Sequence, residues 1–220
     1  MTPTSQPPKR RYDASRRQAH ALEGRRRTLA AAHALFVDRG FAATTIAAIA
    51  EAADVSVPTV YAGFASKAEL LRRAIEVALA GDDEPVAVAD RPTARWVHEA
   101  DTAEELLGRY AVMMGEVASR AGQIYGVLVA AADAEPELAD LLRTFEAQRL
   151  RAATQTAEAV DARGGLPPGR TVAEARDIIW LCNAPEVYVM LTGKRRWSTR
   201  RYVAWARNAL VKLVIAPPDP

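Results

Sequence analysis

The residues best equipped for chemistry lie between Thr44 and Lys67. There Thr44, Thr45, Ser56, Thr59 and Tyr61 supply hydroxyls and Lys67 a cation, with Arg25, Arg26 and Arg27 shortly before them. Hydroxyls and cations hold anions and bond to polar edges; that inventory suits recognition better than proton abstraction. The groups that would serve catalysis are scattered. The histidines are His20, His33 and His98, the one cysteine is Cys182, and none sits at metal-ligand spacing from another. Neither a phosphate-binding glycine loop nor an HExxH pattern occurs. No catalytic residue, metal or cofactor is therefore expected, and an enzyme stands only as a rival class.

Two short helical patterns must position these side chains. The first runs from about Thr45 to Ala52, with Ile46 and Ile49 on one face and Thr44 or Thr45 as N-cap, because a Thr oxygen accepts from a free N–H of the first turn. The second runs from about Val57 to Gly63, with Ser56 as N-cap. Pro58 is tolerated in its first turn, where a missing N–H has no intrahelical acceptor. Val60 and Phe64 fall on one side, which leaves Ser56, Thr59 and Tyr61 for other work. Two such helices joined by a tight turn form a helix-turn-helix.

Charge supports a polyanionic partner for this region. Residues 1–80 hold 12 Lys/Arg against 7 Asp/Glu, whereas the remainder is net acidic, within a total of +2. Residues 1–20, with Lys9, Arg10, Arg11, Arg16 and Arg17, read as a disordered basic arm, either laid along phosphates or simply solvated. Helix 1 is expected over about Glu23–Arg39, stopped by Gly40, with Phe41 folded back as an apolar plug. Arg25, Arg26 and Arg27 would then crowd its first turn, where the helix dipole disfavours cations and an outside anion would relieve them. Ser66 to Glu69 reads as a capping box opening a helix to about Ala80.

The rest of the chain is helical and alanine-rich, with no strand pattern. Residues 82–100 read as a connector. A larger helical domain follows over 101–216, with a frayed tail at 217–220. Within it the sequence predicts helices from Thr102, over Ile124–Ala132, from Pro136 to about Arg163, from Thr171 onward with Pro185 kinking its interior, and from Ser198 to Ile215. The fold class expected is all-α, about nine helices in two unequal domains. One cysteine forbids an internal disulfide, no apolar run reaches membrane-span length, and the basic N-terminus lacks an apolar signal core. A cytoplasmic location is the expectation.

The motif Thr44-Thr45-Ile46-x-x-Ile49-Ala50, then Ala53-Asp54-Val55-Ser56, Thr59-x-Tyr61 and Phe64-x-Ser66-Lys67-x-Glu69-Leu70 resembles the DNA-binding domain of TetR-family transcriptional regulators. Many members carry glycine where this chain has Pro58, and a bulky or basic pair where Ala62 and Gly63 stand, so operator preference does not carry over. Ala184-Pro185-Glu186-Val187-Tyr188 and Arg196-Trp197-Ser198-x-x-Arg201-Tyr202-x-x-Trp205 resemble the rear half of many such regulators. The resemblance spans about residues 21–215 and places a DNA-binding domain at 21–81.

The resemblance implies a homodimer on a palindromic operator in double-stranded DNA. Arg25, Arg26, Arg27, Thr44, Thr45, Tyr61 and Lys67 are expected at phosphates, and Ser56, Val57, Pro58, Thr59 and Ala62 at base edges. No Arg, Asn or Gln occurs on the second helix of the motif, so direct readout should be modest. The resemblance also implies a small-molecule effector, entering the rear domain and altering the spacing of the two recognition helices. Candidate lining residues are Trp96, Tyr110, Met113, Met114, Tyr125, Phe145, Trp180 and Asn183, whose aromatics, methionines and few polar atoms suit an apolar ligand. Val187, Leu191, Tyr202, Trp205, Leu210 and Leu213, with Trp180, are candidates for the dimer interface, the alternative being that they face their own core. A ligand-released repressor is the leading reading. An activator of the same fold and a nonspecific architectural DNA-binding protein remain as alternatives.

Overall fold

The computed structural model describes residues 9–84 and 91–215, with side chains from residue 19 onward, so residues 1–8 of the expected arm and the 217–220 tail lie outside the described residues. Helix and turn account for the described residues, without a strand among them. The order is α1 (Lys9–Ala43), α2 (Ile46–Ala52), α3 (Val57–Gly63), α4 (Lys67–Ala80), α5 (Pro92–His98), α6 (Ala103–Ala132), α7 (Pro136–Asp161), α8 (Val172–Cys182), α9 (Pro185–Val189) and α10 (Thr199–Leu210). Two π-helical turns, Met190–Lys194 and Val211–Ile215, continue α9 and α10. The chain divides into two compact units at Ala74 and Ile75, inside α4.

In the first unit α1 begins at Lys9, so residues 9–20 are helical where the composition suggested a disordered arm. From Lys9 to Glu23 the chain has neither proline nor glycine, and Arg, Ala and Gln sustain a helix that apolar periodicity alone does not mark. Arg25–Arg27 therefore sit far inside α1 rather than in its first turn, and the dipole argument for them fails. Gly40 breaks the helix at φ 77°, a left-handed angle that glycine adopts without a Cβ clash. The break turns Phe41 back onto Phe36, ring centroids 5.8 Å apart and nearly parallel. Ile49, Val60, Phe64, Leu70 and Leu71 complete this core, each fully buried side chain of that size contributing roughly 1.5–3 kcal/mol.

The second unit is built around α6, a single 30-residue helix where the sequence suggested two. Two of its glycines lie on packed faces. A Cβ on Gly115 would stand 2.3 Å from Val203 Cγ2 of α10, and one on Gly122 would stand 3.3 Å from Tyr188 Cδ1 of α9. The expected 82–100 connector is partly structured core. Val97 of α5 and Ala100 join the buried cluster of α6, and Arg163 ties the end of α5 down by donating to the carbonyls of His98 and Ala100 at 2.7 and 3.0 Å. The box at Thr171 is complete. Thr171 Oγ1 accepts from the Glu174 N–H, and Glu174 accepts from the Thr171 N–H.

Pro185 does not kink a helix; it starts one. The α8 helix ends at Cys182, Asn183 caps it, and Pro185 takes the first position of α9, where proline costs no hydrogen bond. The Leu181 carbonyl, four residues earlier, accepts from the Ala184 N–H at 3.1 Å and is not left over.

Gly115→Ala should destabilise the protein by about 1–3 kcal/mol, because Val203 belongs to a packed face with little room to give. Gly126→Ala, whose added Cβ meets nothing within 4 Å, should instead be neutral or stabilising by up to about 1 kcal/mol. Urea unfolding of the two variants checks the contrast.

Candidate nucleic-acid interface

The turn between α2 and α3 is fixed by backbone geometry. Asp54 takes φ 52°, which Asp tolerates better than most residues. Its N–H bonds the Glu51 carbonyl at 3.1 Å, and the Val55 N–H bonds the Ala50 carbonyl at 3.0 Å. These two bonds are the paired helix-ending pattern in which a left-handed residue reverses the chain. Val55 then lies against α1 at Gly24, where an added Cβ would be 3.8 Å from Val55 Cγ1. Arg27 of α1 holds the same turn from outside, with Nη1 3.4 Å from the Asp54 carboxylate and Nη2 3.5 Å from its carbonyl.

The short helix α3 has one buried face and one open face. Ser56 Oγ accepts from the Thr59 N–H at 3.2 Å, and the two hydroxyls Ser56 Oγ and Thr59 Oγ1 lie 2.7 Å apart. Val60 and Phe64 are buried, while Pro58, Thr59, Tyr61 and Ala62 are exposed, with Val57 half-buried. Tyr61 is 54% exposed, so it is a surface tyrosine rather than a core one. At the start of α2, Thr45 is exposed and its oxygen accepts from the Ala48 N–H at 3.1 Å, which leaves its own O–H able to donate outward.

Several residues expected at phosphates are used internally instead. Thr44 is buried, and its hydroxyl donates toward the carbonyls of Gly40 at 2.7 Å and Leu35 at 3.1 Å. The hydroxyl thereby ties Thr44 to the turn that carries the Gly40 kink. Lys67 Nζ donates to the carbonyls of Phe41 at 2.9 Å and Thr44 at 3.2 Å, and stands 4.2 Å from the centre of the Phe41 ring. Arg25 lies 4.8 Å over the Phe64 ring and reaches the Gly63 carbonyl at the end of α3. Arg25, Arg27 and Lys67 thus brace the motif, and Arg26, Thr45 and Tyr61 are the exposed members of the expected phosphate set.

The second unit holds a largely apolar cavity of about 190 Å³, open to solvent, between α6, α7 and the α8–α9 break. Of the eight residues expected to line it, Tyr125, Phe145 and Asn183 do. Tyr110 is core, its hydroxyl oxygen accepting from Asn183 Nδ2 at 3.1 Å, and burial pushes its pKa up to about 12. Met114 is core as well, and Met113 packs against it. Trp96 is on the surface under Arg109, whose guanidinium lies 5.1 Å from the ring centre. Trp180 reaches the cavity only indirectly, through Arg149. Reading the sequence missed Arg149 and Gln148 on α7, and Ala118, Ala121 and Gly122 on α6. The signal was helical register: Phe145 and Arg149 are four apart, as are Ala118, Gly122 and, nearly, Tyr125.

Arg149 Nη1 contacts both carboxylate oxygens of Glu146, at 2.9 and 2.8 Å, and its Nη2 donates to the Trp180 carbonyl at 3.1 Å. The Tyr125 hydroxyl donates to the same Glu146 carboxylate. Burial foremost, then that carboxylate, pushes the Tyr125 pKa well up, so it stays a neutral donor.

The expected interface residues divide. Tyr202 and Leu210 are buried in their own core, and Val187, Leu191 and Trp205 are half-buried against it. Of that set Leu213 is open, at 51%, and it is joined by Leu181 on α8 and Met190 after α9. No group of three or more metal-ligating residues and no helix long and apolar enough to cross a membrane occurs among the described residues.

A braced helix-turn-helix with an open recognition face, followed by a larger helical unit, defines a DNA-binding transcriptional regulator. Comparison with known proteins gives the family. Residues 29–74 match the family described as bacterial regulatory proteins, tetR family, and this front domain is a member of it. No curated protein matches the sequence. Among solved structures, the chain is similar to NalD of Pseudomonas aeruginosa, the secondary repressor of the MexAB-OprM multidrug efflux pump, at 18% identity and TM-score 0.67, over 89% of this chain and 98% of that one. It is similar to the transcriptional regulator FadR of Bacillus subtilis, solved in complex with stearoyl-CoA, at 18% identity and TM-score 0.65, over 87% and 98%. A TetR family transcription regulator from Marinobacter aquaeolei matches at 20% identity and TM-score 0.61, over 90% and 98%. The whole chain thus has the TetR regulator fold.

Thr44→Val and Tyr61→Phe should separate scaffold from surface. The first should cost about 1–2 kcal/mol of stability, because it removes a buried hydroxyl that donates to the Gly40 and Leu35 carbonyls. The second should leave the melting temperature unchanged and weaken operator binding by roughly fivefold, the worth of one hydrogen bond. Thermal unfolding and fluorescence anisotropy on the same samples read both.

Proposed function

We propose that this protein is a ligand-responsive repressor that binds a palindromic operator as a homodimer and releases it when a small hydrophobic effector enters the second unit. The observation that carries the DNA half is the open face of α3, where Thr59, Pro58, Ala62 and Tyr61 stand clear of a helix whose other face is locked into the core. Thr59 and Ser56 face base edges through their hydroxyls, and Val57, Pro58 and Ala62 offer apolar contact to thymine methyls. Arg26, Thr45 and Tyr61 hold phosphates and set register.

A single seven-residue helix reads too few base pairs for a unique site, and two copies on successive major grooves supply the rest. Leu181, Met190 and Leu213 supply exposed apolar surface for the pairing. The cavity beside α6 supports the effector half, and the similar FadR of Bacillus subtilis was solved in complex with stearoyl-CoA. Release requires that the effector bind the DNA-free arrangement more tightly than the DNA-bound one; tight binding alone shifts nothing.

Footprinting on the DNA upstream of the protein's own gene should protect one discrete inverted repeat, with half-site centres about 34–36 Å apart or a multiple of that. Uniform protection of any duplex would overturn the reading in favour of an architectural protein. Light scattering should give twice the chain mass, and Leu181→Glu with Leu213→Glu should shift it toward the monomer and abolish the footprint. A compound that raises the melting temperature should also release the DNA.

A further inference from the structure

The chemistry of the cavity wall restricts what can occupy it. Arg149 is the one formally charged residue among the described residues lining the cavity; both of its Nη atoms are partnered, while its Nε is buried without a partner. Glu146, one turn earlier on α7, takes Nη1 on both oxygens, and the pair is largely buried, with side-chain exposures of 14% for Arg149 and 31% for Glu146. The Trp180 carbonyl takes Nη2, the Trp180 ring lies 5.0 Å from the guanidinium, and the Tyr125 hydroxyl donates to Glu146 Oε1, an oxygen that Arg149 also contacts. With Nε buried, an anionic ligand approaching the Nη face of Arg149 has to compete with Glu146, and displacing it strands a half-buried carboxylate without its cation. A cationic ligand meets Arg149 as a like charge while Glu146 is occupied. A neutral ligand disturbs neither.

Asn183 supplies the orienting group. Its Nδ2 donates to Tyr110, its Oδ1 accepts from no group among the described residues, and the residue lines the cavity. An acceptor calls for a donor, and an uncharged hydroxyl is the simplest. The remaining wall is apolar along α6 from Val117 to Tyr125, a length of about 12 Å at the helical rise per residue. That suits a medium-length alkyl chain or a small ring system.

Resting on the effector reading above, we infer that the cavity selects an uncharged amphiphile, an apolar body with a neutral hydroxyl directed to Asn183, and that the Glu146–Arg149 pair is the device that excludes fatty carboxylates. Glu146 acts on specificity through Arg149 rather than by touching the ligand.

Calorimetric titration of the full-length protein at pH 8 with 1-decanol, decanoate and decyltrimethylammonium, all below their aggregation concentrations, tests this. Decanol is expected to bind at least about tenfold more tightly than either ion. Glu146→Gln removes the competing carboxylate while keeping the shape, and is expected to narrow the decanol-to-decanoate ratio about tenfold or more by strengthening decanoate. Decanoate binding as tightly as decanol to the native protein would overturn the inference and leave the effector cavity standing. An unchanged ratio in a folded Glu146→Gln would overturn the role of the ion pair. Binding by none of the three would overturn the cavity reading, and this inference with it. The native comparison decides the ligand class even if Glu146→Gln does not fold.

Discussion

The direction in which the recognition helix leaves its partner is set at Asp54. Its left-handed backbone lets two successive N–H groups return to α2, and the chain reverses in three residues. Such a turn has few interactions of its own, so the surroundings must hold it. Val55 lies against Gly24, Arg27 spans the carboxylate and carbonyl of Asp54, and Arg25 covers the far end of α3 from the same helix. The exposed pair is worth little as an ion pair. Its value lies in orientation, since α3 has only Val60 and Phe64 to anchor it and a small tilt would move every exposed side chain.

That bracing has a consequence for the electrostatics of the motif. A count of cations near a helix-turn-helix overstates what is available to a phosphate backbone, because guanidinium and ammonium groups are also the best partners for carbonyls stranded at helix ends and for aromatic faces. Here, around the kink at Gly40, Thr44 donates to the Gly40 carbonyl and Lys67 to the Phe41 and Thr44 carbonyls. The groups left exposed are hydroxyls on α3 and at the start of α2, with Arg26 as the exposed arginine of its cluster.

In the second unit, too, one interruption of the helices shapes the structure around it. Glycines on α6 let α9 and α10 approach closely, and the packing there is dense. The exception lies beside the α8–α9 break, where Asn183, Ala184 and Pro185 stop one helix and start another. The gap opens between that break, α6 and α7, and a polar network of Tyr125, Glu146 and Arg149 holds its edge. Buried polar groups of this kind keep a cavity in shape only when they are mutually satisfied.

Local signals proved readable wherever a residue acts on its own backbone. The caps at Thr45, Ser56, Thr102, Thr171 and Ser198, the glycine stop at Gly40 and the first-turn prolines Pro58 and Pro136 involve atoms within four residues of each other, and their chemistry is written in the chain order. The exposed face of α3 was legible for the same reason, since helical register alone separates Val60 and Phe64 from Thr59, Tyr61 and Ala62. What the tertiary structure decided were allocations among distant partners. Whether Lys67 meets a phosphate or the Phe41 carbonyl, whether Tyr202 faces a second copy or its own core, and whether Arg149 sits idle on a helix or at a cavity wall all depend on groups 20 to 30 residues away or more. Residue type fixes what a side chain can bond; only packing fixes which of the competing partners reaches it first.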